Sequence, residues 1–301
     1  MILYYALGGG LGHISRSLAL LAHAPQPLLQ SVRLLVSSRS AEVARPISPC
    51  PMDLVPERAM ADRRLYARFL DEYLHRHDVS CIVVDTFPFG LLGELRYRAP
   101  RLPRVLVGRY LRWDAYRERC GDLAGAVWPR VSILIEDQEE ACREEAARHG
   151  RVVTAPWPVS LARPMDGVAG IRPACCIVHS GSPEEMDRLM LEARRIMAER
   201  EMEGAPEIFT PDRGLFPVER SLVRFTDVVS GAGYAGCSAA AVMKGRVRYH
   251  LHPFPRRFDD QALRLRRLNE GTWGDVSAGD AARTAAVLWG EVACLKLPFS
   301  G

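Results

Sequence analysis

His13 closes the glycine-rich run Gly8-Gly9-Gly10-Leu11-Gly12, between a short apolar segment and one with helical periodicity. Glycines at a strand-to-helix turn let the backbone come close to a ligand, and the free N–H groups of the helix that follows make a seat for anionic oxygen. An imidazole placed there sits at the carboxyl edge of a sheet, where α/β proteins bind ligands, and it takes up a proton near neutral pH. Asp85 ends the apolar run Cys81–Asp85 and faces the same edge. It can orient His13, contact an acceptor or cap the following turn. The glycine spacing is not G-x-G-x-x-G, and no acidic residue ends a second strand about twenty positions on, which argues against a nicotinamide or flavin site.

A second glycine turn of the same design, Asp227–Ser238, contains Gly231, Ala232, Gly233 and Tyr234 and runs into the helix-like Ala239–Met243. Such a turn offers room and N–H donors to a diphosphate. A third turn, His179-Ser180-Gly181-Ser182-Pro183, follows another strand, and Glu184 and Glu185 then oppose the positive end of a helix dipole. Finally, Pro253–Gln261 is a proline-fixed loop in which Asp259, Asp260 and Gln261 present acceptors and an amide at a helix start, groups suited to the vicinal hydroxyls of a sugar. A plain helix cap is the alternative use of the aspartates.

These turns need strands and helices to hold them. In the first half, β-branched runs at Ile2–Leu7, Val32–Val36, Cys81–Asp85, Arg104–Val107 and Val131–Ile135 alternate with helical patterns at Ile14–Ala24, Asp62–His77, Gly90–Tyr97 and Glu139–His149. That alternation predicts a parallel sheet covered by helices. The cycle restarts at Ala174–Val178, after a passage containing Ala155-Pro156-Trp157-Pro158 and Arg163-Pro164 that reads as a linker. The expected architecture is α/β, with two facing Rossmann-like domains over residues 1–157 and 158–301 and a cleft between them that carries Gly8–His13 and Gly231–Cys237 on opposite walls.

Composition narrows the function classes. The 301 residues are 48% hydrophobic and 25% charged, a soluble globular balance. No apolar run approaches the roughly 20 residues of a membrane span. The sequence opens directly on a strand-like segment with no charged leader, from which a cytoplasmic location is expected. Its arginines alternate with acids, as in Arg117-Glu118-Arg119, and do not form a nucleic-acid stripe. None of the eight cysteines pairs in a C-x-x-C motif, so neither zinc nor a disulfide framework is indicated.

Taken in order, these passages resemble the GT-B glycosyltransferases, especially the bacterial predicted glycosyltransferases related to the lipid-II-forming N-acetylglucosaminyltransferase. Gly8–Arg16 is similar to that superfamily's G-G-x-x-G-H-x-x-R turn, Val84–Gly90 and Phe254–Gln261 to the bacterial group, and His179–Ser182 to the turn opening the donor domain. The resemblance implies that His13 is the acceptor-side base or a diphosphate neighbour. It also implies that Gly9, Gly10 and Gly12 form a diphosphate turn, that Ser180, Gly181 and Ser230–Ser238 face the donor, and that Asp260 and Gln261 face its sugar. One departure stands out: where the family reads approximately G-Y-N-S-x-x-E-L-L, this chain has Gly233-Tyr234-Ala235-Gly236-Cys237-Ser238-Ala239-Ala240, without the glutamate that clasps ribose.

The implied reaction is metal-independent and cofactor-free transfer of a sugar from a nucleotide diphosphate, a UDP-sugar foremost, to an acceptor hydroxyl, with peripheral membrane association where the acceptor is a lipid. Two alternatives stay open. One is a nucleotide-sugar hydrolase of the same fold, in which His13 activates water; the other is a nucleotide-sugar-binding protein without catalysis.

Overall fold

A computed structural model of the chain describes residues 1–8, 10–37, 39–158, 174–210, 219–272 and 280–296. In chain order the first part comprises β1 (Ile2–Ala6), α1 (Leu11–Leu21), α2 (Gln26–Leu29), β2 (Val32–Val36), β3 (Met52–Leu54), α3 (Glu57–Met60), α4 (Arg63–Arg76), β4 (Cys81–Asp85), β5 (Arg104–Gly108), α5 (Trp113–Cys120), β6 (Val131–Leu134), α6 (Glu140–His149) and β7 (Arg151–Thr154). The second comprises β8 (Cys175–Val178), α7 (Pro183–Glu199), β9 (Glu207–Phe209), α8 (Glu219–Leu222), β10 (Asp227–Gly231), α9 (Tyr234–Val242), β11 (Arg248–His252), α10 (Gln261–Asn269) and α11 (Asp280–Lys296).

The strands form two sheets, ordered β3-β2-β1-β4-β5-β6-β7 and β11-β10-β8-β9, and every pairing is parallel. Parallel sheets covered on both faces need strands that are apolar on both faces. β1 meets the requirement: Ile2, Tyr4 and Ala6 enter one core, Leu3, Tyr5 and Leu7 the other.

Strand order decides where a site can form. In the first sheet the winding reverses between β1 and β4, and in the second between β8 and β10. Crevices open at such switch points, outside the carboxyl ends of the strands. The four turns with chemical content follow β1, β4, β8 and β10.

Two elements differ from expectation. Gly90–Tyr97 is a series of turns, not a helix. Gly90 and Gly93 take φ of 82° and 75°, outside the helical region, and the Glu94 carboxylate accepts the Leu91 and Leu92 amides at 3.0 and 2.7 Å, closing the backbone on itself. The last helix also lies elsewhere than its place in the chain suggests. α11 packs against α1 and under β4, β5 and β6 of the first sheet, where the buried Trp289 faces Tyr4 and donates its indole N–H to Leu20 O at 2.9 Å. The linker expectation at Arg163-Pro164 lies outside the described residues; its upstream part, Ala155–Pro158, directly follows β7.

Candidate functional site

α1 begins at Leu11, with Gly10 as a cap that offers no side-chain bond, so His13 falls in the first helical turn and Arg16 one turn later on the same face. Both point at β4. His13 Nδ1 lies 2.5 Å from Asp85 Oδ2, and Arg16 grips the same carboxylate twice, Nε to Oδ1 at 2.7 Å and Nη2 to Oδ2 at 2.5 Å. Arg16 and Asp85 are each 1% exposed and His13 9%, so the cluster is cut off from water except at the imidazole face. Arg16 Nη2 also donates to Thr86 Oγ1 at 3.0 Å, and Thr86 holds a φ of 69°, which is strained for a β-branched residue. A side chain at position 8 is excluded: a β-carbon there would lie 2.4 Å from His13 Nε2.

The charges sort themselves accordingly. Burial disfavours the ionised Asp85, but Arg16 and His13 outweigh it and hold the carboxyl well below the usual range. Burial also depresses the proton affinity of His13 against the opposing pull of Asp85. With Nδ1–H given to the carboxylate, Nε2 is left as a proton acceptor.

The opposite wall is built from the turns after β8 and β10. His179 Nε2 sits 2.9 Å from Glu185 Oε2, and Arg256 Nη2 donates to the same oxygen at 2.8 Å. Burial lowers the proton affinity of His179, and Arg256 lowers that of Glu185. A β-carbon at Gly181 would come within 1.9 Å of Glu185 Oε2, so a side chain there would displace the carboxylate from His179. After β10, Gly233 caps α9 without a side-chain bond, and a β-carbon at Gly236 would stand 2.2 Å from Gly231 O. The helix therefore starts hard against the turn, its first amides open.

The two walls enclose a cavity of about 620 Å³. It brings together Gly10, Gly12 and His13 from the first domain with Ser180, Gly181, Gly231, Gly233, Tyr234 and Gln261 from the second. Both uncapped helix N-termini open onto it. Gln261 accepts the Phe254 amide at 2.9 Å and keeps its own amide near Gly233. Three expected residues do not line it. Asp85 stands behind His13, and Ala232 is fully buried with its N–H on His252 O at 2.7 Å. Asp260 accepts from Leu263 N at 2.8 Å as the cap of α10. Gly9 lies outside the described residues.

Several participants were not anticipated. Glu185 was read from sequence only as a dipole partner. Arg109 lines the cavity and pairs with Asp259 at 2.9 Å; Asp259 also binds Arg264, which in turn holds Glu136 at 2.9 Å. This buried chain of charges ties the loop before α10 to the first domain. Its members are spread over the whole sequence, and no local spacing announces them.

No family profile and no curated protein matches the chain in sequence. Solved structures do match in three dimensions. UDP-N-acetylglucosamine 2-epimerase from Rickettsia bellii is 10% identical, with 98% of this chain and 96% of that chain covered and a TM-score of 0.60. The UDP-GlcNAc 2-epimerase from Neisseria meningitidis bound to UDP-GlcNAc is 7% identical over 98% of this chain and 100% of that chain, also at 0.60. The spinosyn rhamnosyltransferase SpnG is 14% identical over 98% of this chain and 96% of that chain, at 0.52. Topology and these similarities together establish that the chain has the GT-B fold, two parallel α/β domains facing each other across a cleft.

Proposed function

We propose that the protein is a glycosyltransferase that binds a nucleoside diphosphate sugar in the interdomain cavity and passes its sugar to an alcohol. One observation carries the reading: two helix N-termini without side-chain caps, at Gly10 and Gly233, open from facing domains onto one cavity beside a carboxylate-held imidazole. Open N–H groups and aligned dipoles favour a diphosphate there. Structural relatives named for UDP-N-acetylglucosamine and for rhamnosyl transfer support the ligand class.

In this reading the acceptor oxygen attacks the anomeric carbon while the bond from that carbon to the diphosphate oxygen breaks. The hydroxyl proton passes to Nε2 of His13, and Asp85 stabilises the resulting imidazolium through Nδ1–H. Charge growing on the leaving diphosphate meets the open amides at the start of α9 and the Arg109 guanidinium. Gln261, whose amide faces the cavity, takes the sugar-hydroxyl role in preference to Asp260, whose carboxylate is engaged in capping. Ala235, Gly236 and Ala239 line the wall where the related enzymes carry their ribose glutamate, so ribose is held without that clasp.

His13→Ala tests the assignment. Loss of a general base lowers kcat by about 10²–10⁴ and leaves nucleotide affinity largely intact. A raised KM with unchanged kcat would make His13 a binding residue. Release of free sugar at the same rate with and without added alcohols would assign the site to hydrolysis.

A further inference from the structure

The donor helix α9 begins with a side chain that belongs, by its contacts, to the other domain. The Tyr234 ring lies under the Arg16 guanidinium, 4.4 Å from carbon to centroid, and against Trp157 with ring centroids 4.4 Å apart. Its hydroxyl donates to Pro158 O at 2.9 Å, and a β-carbon on Gly12 of α1 would stand 3.9 Å from its own. Tyr234 is thus held between α1 and the segment that leaves the first sheet, while Gly233 beside it caps a helix of the second domain. Arg16 is also held on the far side, where Nε and Nη2 are committed to Asp85 and Thr86.

We infer that Arg16 and Tyr234 are a positioning pair that spans the cleft and sets the proton affinity of His13 from the donor side. The inference rests on the proposed base role of His13. The ring's negative face fixes the plane of the guanidinium. That plane in turn presents two donors to Asp85, and Asp85 so neutralised pulls less strongly on the imidazole proton. Arg16 is 1% exposed and Tyr234 7%, so no water competes for these contacts. The charged groups facing His13 are Asp85 from β4, Arg16 from its own helix and Arg109 following β5; of these, Arg16 packs directly on the Tyr234 ring of the donor helix. Without the ring, the guanidinium loosens from the carboxylate and solvent reaches the imidazole. Both changes favour the imidazolium.

The test is the NMR titration of the His13 imidazole in the full chain, together with the acid limb of turnover against pH. Tyr234→Leu keeps apolar bulk and deletes the ring face; His13 should then titrate about half a pH unit higher or more, a threefold rise in proton affinity, with the acid limb moving in step. Tyr234→Phe restores the ring and should return both to wild type. Should Tyr234→Leu not fold, Arg16→Lys carries the same test, because an ammonium keeps the charge and loses the planar fork. A His13 titration unmoved in Tyr234→Leu, or in Arg16→Lys as its replacement, would reduce the pair to packing and overturn the inference. Failure of the base reading looks different: His13→Ala would retain turnover while the titration shift persisted.

Discussion

Replacing Asp85 by asparagine removes one charge and no volume, and its consequences can be worked out from the four contacts of the carboxylate, the fourth being the Thr86 hydroxyl at 3.2 Å. The carboxylate accepts from Arg16 Nε, from Arg16 Nη2 and from His13 Nδ1, at 2.7, 2.5 and 2.5 Å, and its side chain is 0% exposed. An asparagine offers one oxygen and one NH₂. If the oxygen keeps Arg16 Nε, the NH₂ opposes Nη2 and has two acceptors left, His13 Nδ1 and, at 3.2 Å, Thr86 Oγ1. If it is flipped, the NH₂ opposes Nε–H instead. Either way a buried guanidinium loses its counter-charge, a change that costs about 3–5 kcal/mol, out of the roughly 5–15 kcal/mol that stabilises an ordinary domain. His13 Nδ1 is the nearer acceptor, at 2.5 Å, and once the NH₂ donates to it the imidazole is driven to the tautomer with its proton on Nε2. That tautomer cannot accept from an alcohol, and kcat falls by about 10⁴, as for other bases whose orienting carboxylate is amidated. Urea unfolding measures the stability, and nitrogen-15 correlation spectra of the imidazole identify the tautomer. A folded Asp85→Asn protein within about 1 kcal/mol of wild type, still carrying its proton on Nδ1, would refute the account of this cluster.

Three further outcomes are expected. The stability gap between wild type and Asp85→Asn should narrow on acidification: a carboxyl depressed in the folded state stabilises above its ordinary pKa, near 4, and loses that contribution as pH falls toward its folded value. Because burial lowers the proton affinity of His13, the acid limb of kcat/KM should have its midpoint below 6.5, with activity lost as the pH drops through it; a midpoint above 6.5 would contradict the stated balance. Trp289→Ala should cost about 3–5 kcal/mol in denaturant unfolding, because it empties a buried indole site beneath the first sheet and removes the bond to Leu20.

Much of the fold could be read from the sequence because it depends on local pattern. The apolar runs of β1 and β4 and the glycines that follow β1 and β10 announce parallel strands with turns at one edge. What escaped depends on side-chain placement in space. Leu91, Leu92 and Leu95 mimic a helical face, while Gly90 and Gly93 turn the backbone out of that conformation. The apolar stripe of α11 marks it as a packed helix but does not say which sheet it covers. Asp260 and Gln261 are adjacent and similar in chemistry, yet one caps α10 and the other reaches the cavity. His179 and Glu185 meet only because a tight turn at Gly181 folds α7 back over the end of β8. Arg16 and Tyr234 come together across the cleft, where sequence spacing carries no information.

The anion seat at the two helix N-termini is expected to bind a nucleoside diphosphate. Calorimetric titration of the wild-type chain and of Gly236→Ala with UDP, thymidine diphosphate and the corresponding nucleosides measures it directly. The added methyl would lie 2.2 Å from Gly231 O and displace the start of α9. At least one diphosphate should bind the wild type far more tightly than its nucleoside and lose about tenfold or more in the variant, about 1.4 kcal/mol. Equal affinity for diphosphate and nucleoside, or a diphosphate affinity untouched by Gly236→Ala, would contradict it.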